Sequence, residues 1–266
     1  MRIALGIEYD GTSYVGWQRQ KSGIGVQERV EAAISKVADE PLEAVCAGRT
    51  DAGVHATGQV AHFDTLAERS PRGWLLGVNS NLPDDINATW ARPVDDKFHA
   101  RFSADSRSYR YLILNRPVRS ALFRRRAWWI YEPLDEQAMA DGAAHLVGKH
   151  DFSAFRAAGC QAPTPEREVT SLTIERRGDW IVIDITANAF LHHMVRNIAG
   201  TLVAIGRGDA VPGWAAEVLA SRDRKSGGIA APAHGLTLVR VAYPPSFGIP
   251  PGGRDAAAIN VYDSAL

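Results

Sequence analysis

The chain has little that would point to a cofactor, a membrane or an oxidising compartment. Only two cysteines, Cys46 and Cys160, occur in 266 residues. They form no C-x-x-C pair and stand at no ligand-like spacing from the histidines, which excludes a disulfide framework and a zinc motif and leaves two ordinary buried thiols. No run of eighteen apolar residues and no basic-then-apolar leader is present, since MRIALGIEYDG already alternates as a strand does. The expectation is therefore a cytoplasmic chain with no membrane partner. There is no Walker lysine pattern, no G-x-G-x-x-G and no H-E-x-x-H, because His192 and His193 are adjacent. Hence no metal and no nucleotide cofactor are expected. The formal net charge is zero, which argues against a protein that coats nucleic acid by charge alone.

What is present is enough apolar residue, 45%, to bury a substantial core. Ile3, Leu5, Ile7 and Tyr9 alternate as in a strand, and Val26, Val30, Ala33, Ile34 and Val37 then recur at helical spacing. Further strands are predicted over 59–64, 88–94, 107–114, 169–176, 180–187 and 236–242. Further helices are predicted over 72–78, 135–147, 190–205 and 212–220, the third with Asn188 as a candidate cap. Strands and helices mix without regular βαβ alternation, so the class is α+β. The pattern divides into an amino-terminal half (1–115), a carboxy-terminal half (116–243) and an irregular tail (244–266) rich in proline and glycine.

Charge is unevenly distributed. Between Arg101 and Arg126 eight arginines face a single acid, Asp105. This fits a localised phosphate-binding surface, although arginines paired with distant acids would read the same way.

Four stretches can carry chemistry. In Gly48-Arg49-Thr50-Asp51-Ala52-Gly53 a carboxylate sits in a tight loop ahead of a strand. Such a carboxylate can be a covalent nucleophile if a cation keeps it ionised away from water, and Arg49 or a more distant arginine could do so. A plain Asx turn is the other reading. In Ser108-Tyr109-Arg110-Tyr111 a period of two puts both tyrosine rings on one face, either as core or as a surface on which a base stacks. In Phe190-Leu191-His192-His193-Met194-Val195-Arg196-Asn197 helical spacing leaves Arg196 outside the apolar stripe. The loop YDGTSYVGWQRQ, dense in aromatic, amide and small residues, suits contact with RNA backbone or loop bases.

Together YDGTSYVGWQRQ, GRTDAGVHATGQVAHF, FHARFSADSRSYRY, HDFSAF and NAFLHHMVRNIAGTL, in this order, resemble the tRNA pseudouridine synthase A family over nearly everything to about residue 243. The resemblance implies a pseudouridine synthase fold, with a central, mainly antiparallel sheet from two similar α/β halves flanked by helices. It implies a homodimer that isomerises uridines 38, 39 and 40 of the tRNA anticodon stem-loop without a cofactor. It makes Asp51 the nucleophile, pairs it with Arg196, has Arg49 hold the extruded nucleotide, packs Tyr109 on the target base and closes an apolar wall with Leu236. Two other classes compete. A hydrolase using Asp51 as a general acid or base would need a second carboxylate at suitable spacing, and none is evident near the loop. An inert RNA-binding module could lose Asp51, yet the whole GRTDAG segment is intact.

Overall fold

The computed structural model describes residues 1–250, and the chain divides into two compact units. One is Met1–Asp105 with the segment from Thr237 onward, and the other is Ser106–Leu236.

In the first unit β1 (Arg2–Tyr9) pairs antiparallel with β3 (His55–Asp64) on one side and β4 (Ile86–Val94) on the other. The short β2 (Val45–Cys46) adds to β3, and the returning β10 (Leu236–Ala242) lies parallel to β3 through Thr237 and Leu238. The central position of β1 and β3 explains their composition: Ile3 to Ile7 and Gln59 to Phe63 are buried in unbroken runs rather than alternately. Helix α1 (Val26–Ala38) buries Val26, Val30, Ala33 and Ile34, the stripe predicted from spacing. It packs on α2 (Pro71–Asn79), which in turn packs on β4. Ser70 caps α2 by accepting the Gly73 N–H at 3.0 Å, with proline at the first helical position.

In the second unit the order is β5 (Ser106–Asn115), β9 (Trp180–Ala187), β8 (Glu166–Arg177) and β7 (Gly148–Asp151), all antiparallel. The short β6 (Trp128–Ile130) lies parallel on the far side of β5. Three helices accompany this sheet: α3 (Glu136–Ala144), α4 (Met194–Gly206) and α5 (Trp214–Ser221). β5 is joined to β9 in an unbroken ladder from Arg107–Ala187 to Leu114–Trp180, so these strands fold together although a division at 115/116 separates them. The mainly antiparallel pairing and the segregated helices make the chain α+β, as expected.

The expected helix 190–205 is shorter than its apolar spacing suggests. His193 has φ +62°, which no α-helix of L-residues continues through, so α4 begins only at Met194. Asn188 is not its cap. The Asn188 Oδ1 accepts the backbone N–H of Glu168 and of Ala189, closing the end of the β8–β9 ladder. Both cysteines are half-buried as residues, but burial around the Cys46 sulfur pushes its thiol pKa up to about 12, so that thiol is enclosed as expected. Of the proline- and glycine-rich tail, Pro245–Phe247 forms a single 3-10 turn whose Phe247 ring lies 5.4 Å from that of Phe98, and residues 251–266 lie outside the described part.

Candidate active site

Asp51 sits in a loop built by three separate stretches of the first unit. The Val54 N–H returns to the Asp51 carbonyl at 3.1 Å, a turn that Gly53 makes possible at φ +78°, and β3 follows at His55. On the upstream side the buried Gln59 amide spans the loop base. Its Nε2 donates to the Gly48 carbonyl at 2.7 Å, and its Oε1 accepts the Gly48 N–H at 3.4 Å. The third support comes from YDGTSYVGWQRQ. Gly16 and Asp51 form an isolated antiparallel bridge, the Trp17 N–H donates to the Thr50 carbonyl at 3.0 Å, and the Gly53 N–H donates to the Tyr14 carbonyl at 3.3 Å. Beneath them the Tyr9 and Thr50 hydroxyls share a buried hydrogen bond of 2.8 Å.

This arrangement changes the meaning of the amino-terminal motif. Tyr14 and Trp17 are buried, so they brace the carboxylate loop instead of meeting a ligand; the exposed part of the motif is Ser13 and its end, Gln18 to Gln20. Burial and the Asp85 carboxylate, which accepts the Tyr14 hydroxyl at 2.5 Å, push the Tyr14 phenol well above its ordinary pKa and keep it neutral. Gly16 is required twice over. Its φ is +104°, and a Cβ there would stand 2.4 Å from the Thr50 carbonyl oxygen. Gln59 and the Gly16 bridge were invisible in the sequence, since an amide in a strand and a glycine in a loop have many ordinary uses. Arg49 lies two residues before Asp51 on the exposed side of this loop. Asp51 itself is half-buried.

The other predicted site residues belong to the second unit. Tyr109 and Tyr111 point to one face of β5, as the period of two requires, but their surroundings differ. Tyr111 is fully enclosed, its hydroxyl donating to the Pro232 carbonyl at 2.8 Å, and burial raises its pKa far above the ordinary phenol value. Tyr109, nearer the start of the strand, keeps 8% of its surface open and meets Phe190 edge-to-face at 5.0 Å. Of the two, Tyr109 alone retains a surface that a base could touch.

Arg196 is held rather than free to sweep. Its Nε donates to the Ala231 carbonyl at 2.8 Å, while its own backbone carbonyl accepts the Ala231 N–H at 3.0 Å. The segment that carries Ala231 lies hard against α4: Gly228 donates to the Thr201 hydroxyl at 3.2 Å, and Gly200 leaves no room for a side chain beside the Ile229 carbonyl. Asn197 locks the same helix to HDFSAF by donating to the Phe155 carbonyl at 2.8 Å, and accepts from Arg224 at 3.0 Å. Leu236 is buried at the end of this segment, directly after Gly235, which packs against the Tyr111 ring. Arg196, Leu236 and the tyrosine strand thus converge through residues 231–236. His192 and His193, expected to diverge on a helix, lie outside α4 with ring centroids 4.1 Å apart.

The arginine-rich stretch splits into two groups. Arg107 and Arg110 are buried and structural: Arg107 donates to the Asn188 carbonyl at 2.9 Å, and Arg110 grips Asp184 through both oxygens at 2.7 and 2.6 Å. Arg116 approaches Asp179 at 3.6 Å. Arg101, Arg119, Arg124, Arg125 and Arg126 are exposed. Charge counting alone could not separate the two groups, because the acids that neutralise Arg110 and Arg116 lie about seventy residues on in sequence.

Comparison with known proteins gives the class. A family model described as tRNA pseudouridine synthase matches residues 6–103 and 143–244. The tRNA pseudouridine synthase A of Methylococcus capsulatus is 56% identical over 256 residues, covering 96% of this chain and 93% of that protein. Those of Coxiella burnetii (54% over 249 residues; 94% and 95%) and Nitrosococcus oceani (56% over 250 residues; 94% and 96%) are similarly close. Among solved structures, a chain of a Cbf5-Nop10-Gar1 complex is similar at 13% identity and a TM-score of 0.37, covering 89% of this chain and 48% of that one, a likeness too loose to say anything of the site. The family model and the curated relatives define an isomerase of the pseudouridine synthase class. The chain belongs to the tRNA pseudouridine synthase family, whose activity converts uridine to pseudouridine in tRNA.

Proposed function

We propose that the chain isomerises uridines 38, 39 and 40 of the tRNA anticodon stem-loop, acting as a cytoplasmic homodimer with Asp51 as nucleophile. The single observation that carries the assignment of Asp51 is the effort spent on its loop: two other stretches of the first unit hold the backbone on either side of it. Preorganisation of this kind is what a reacting group needs and a plain surface turn does not.

Isomerisation leaves the formula of the nucleoside unchanged. The bond from ribose C1′ to uracil N1 breaks, a bond from C1′ to C5 forms, C5 loses a proton and N1 gains one. The balance requires no oxidant, reductant or net water. It does require that the base leave the helical stack, turn and remain held while detached. In this reading Asp51 forms the covalent link to the target nucleotide that lets the base come away, and Tyr109 lies against the base. Arg196 supplies the positive charge that keeps the nucleophile ionised, Arg49 helps hold the extruded nucleotide and Leu236 contributes apolar surface against the base. A guanidinium fixed at both its Nε and its backbone, as Arg196 is, suits a stationary counter-charge.

The test is to incubate the purified protein with unmodified tRNA, without added cofactor, and map pseudouridine by position. Modification confined to 38, 39 and 40, abolished in Asp51→Ala while tRNA binding persists, is the expected outcome. Normal pseudouridine formation by Asp51→Ala would sink the nucleophile assignment, and modification elsewhere in tRNA would sink the positional one.

A further inference from the structure

We propose that Phe102 is a stacking platform for an unpaired base of the tRNA substrate, outside the residues that handle the reacting uridine. This rests on the reading of the chain as an enzyme acting on tRNA. Phe102 is 75% exposed, although Ala100, two residues before it, and Phe98 are fully buried. An exposed phenylalanine is ordinary; an exposed phenylalanine held in place is not. The ring lies 4.3 Å from the His99 imidazole at an interplanar angle of 30°, and His99 in turn lies 4.9 Å from the buried His62. The turn beneath the ring is fixed by the same imidazole, whose Nδ1 accepts the backbone N–H of Arg101 at 3.2 Å and of Phe102 at 3.1 Å. The Ser103 hydroxyl accepts the His99 N–H at 2.9 Å, and His62 Nδ1 accepts that of Ala100 at 3.1 Å. Two imidazoles and one hydroxyl of the first unit thereby hold one apolar ring at the surface.

The chemistry around the ring selects a nucleobase. The Arg101 guanidinium stands 5.4 Å from the ring centroid. An aromatic face with a guanidinium alongside suits a base and its phosphate, since stacking needs no particular base and the cation meets the backbone. Both histidines have depressed pKa values, chiefly through burial and the Arg2 charge, so the acceptor role of their Nδ1 atoms is available at neutral pH. Preforming the platform lowers the ordering needed when the RNA arrives.

The experiment measures equilibrium binding of unmodified tRNA separately from turnover, in the full chain and in Phe102→Ala, Phe102→Trp and, as a control for loss of an exposed apolar side chain, Leu66→Ala. Leu66 is 88% exposed. Phe102→Ala is expected to raise both Kd and KM for tRNA about tenfold with kcat unchanged, a loss in the range of one stacked base. Phe102→Trp should restore binding and Leu66→Ala should match the parent. Sedimentation of each variant accompanies the assay. Unchanged tRNA affinity in Phe102→Ala would overturn the proposal; if the variant then also changed in mass, the ring would be reassigned to contact between copies. A parent that binds tRNA but forms no pseudouridine would instead overturn the catalytic reading, and the binding arm would still decide the role of Phe102.

Discussion

In Gly16→Ala a single methyl group would enter the turn that faces Asp51. The native φ of +104° is in a region that side chains rarely occupy, and holding an alanine there costs about 1–3 kcal/mol. The new Cβ would lie 2.4 Å from the Thr50 carbonyl oxygen and 3.0 Å from the Asp51 carbonyl carbon, both backbone atoms that no rotamer change can move. Restoring ordinary contact requires the Thr50–Asp51 backbone to retreat by about 1 Å, a displacement that costs about a hundredfold in rate at a reacting group. The strain alone lowers Tm by about 2–5 °C for a chain of this size. The assay pairs thermal unfolding with single-turnover pseudouridine formation at saturating tRNA. Gly208→Ala is the control, since Gly208 has a comparable φ of +82° with nothing within 4 Å of the added Cβ. It should lose Tm without losing rate. Parent-like single-turnover rates in Gly16→Ala would refute the claim that the Gly16 bridge fixes the carboxylate.

Three further outcomes follow from the same structure. Gly200→Ala would set a Cβ 1.7 Å from the Ile229 carbonyl oxygen and push the 228–231 segment off α4. It should cost at least about 1–3 kcal/mol in urea unfolding, with a kcat defect because Ala231 anchors Arg196. Asp184→Ala leaves the buried Arg110 guanidinium without its two-oxygen partner, and a loss of about 3 kcal/mol in the same assay is expected, largely recovered in Arg110→Met with Asp184→Ala. His62 is held neutral down to a pKa of about 4, against 6.5 when unfolded, because burial and the Arg2 charge oppose its protonation. The unfolded chain therefore takes up this proton first. Stability is full above pH 6.5 and falls as pH drops toward 4. His62→Asn, which keeps an acceptor for the Ala100 N–H, should show a shallower loss of stability over that window; an identical slope would refute the assignment.

Much of the framework was legible because it depends on local periodicity. The strands Trp180–Ala187 and Leu236–Ala242 have the bounds that alternation predicts, and the α1 stripe packs as its spacing requires. The missed elements, β2, β6 and β7, span two to four residues each, too few for a period to show. Helix α4 was overextended for a definite reason. Apolar residues at 191, 194 and 195 keep helical spacing, while the break is set by one backbone angle at His193, which composition does not encode.

The sequence by itself determined that Asp51 stands in a tight glycine-closed loop ahead of a strand, and its ordered motifs pointed to the family to which the chain belongs. Tertiary structure alone decided how that loop is held. Gly16, Gln59 and Tyr9 reach Asp51, Gly48 and Thr50 only after strands distant in sequence pair and set their flanking loops side by side. It also decided which arginines are structural and which exposed, and that Phe102 stands outside on a ladder of histidines. A residue's type states what chemistry it can do; whether it braces, pairs or faces solvent depends on partners that the chain delivers only by folding.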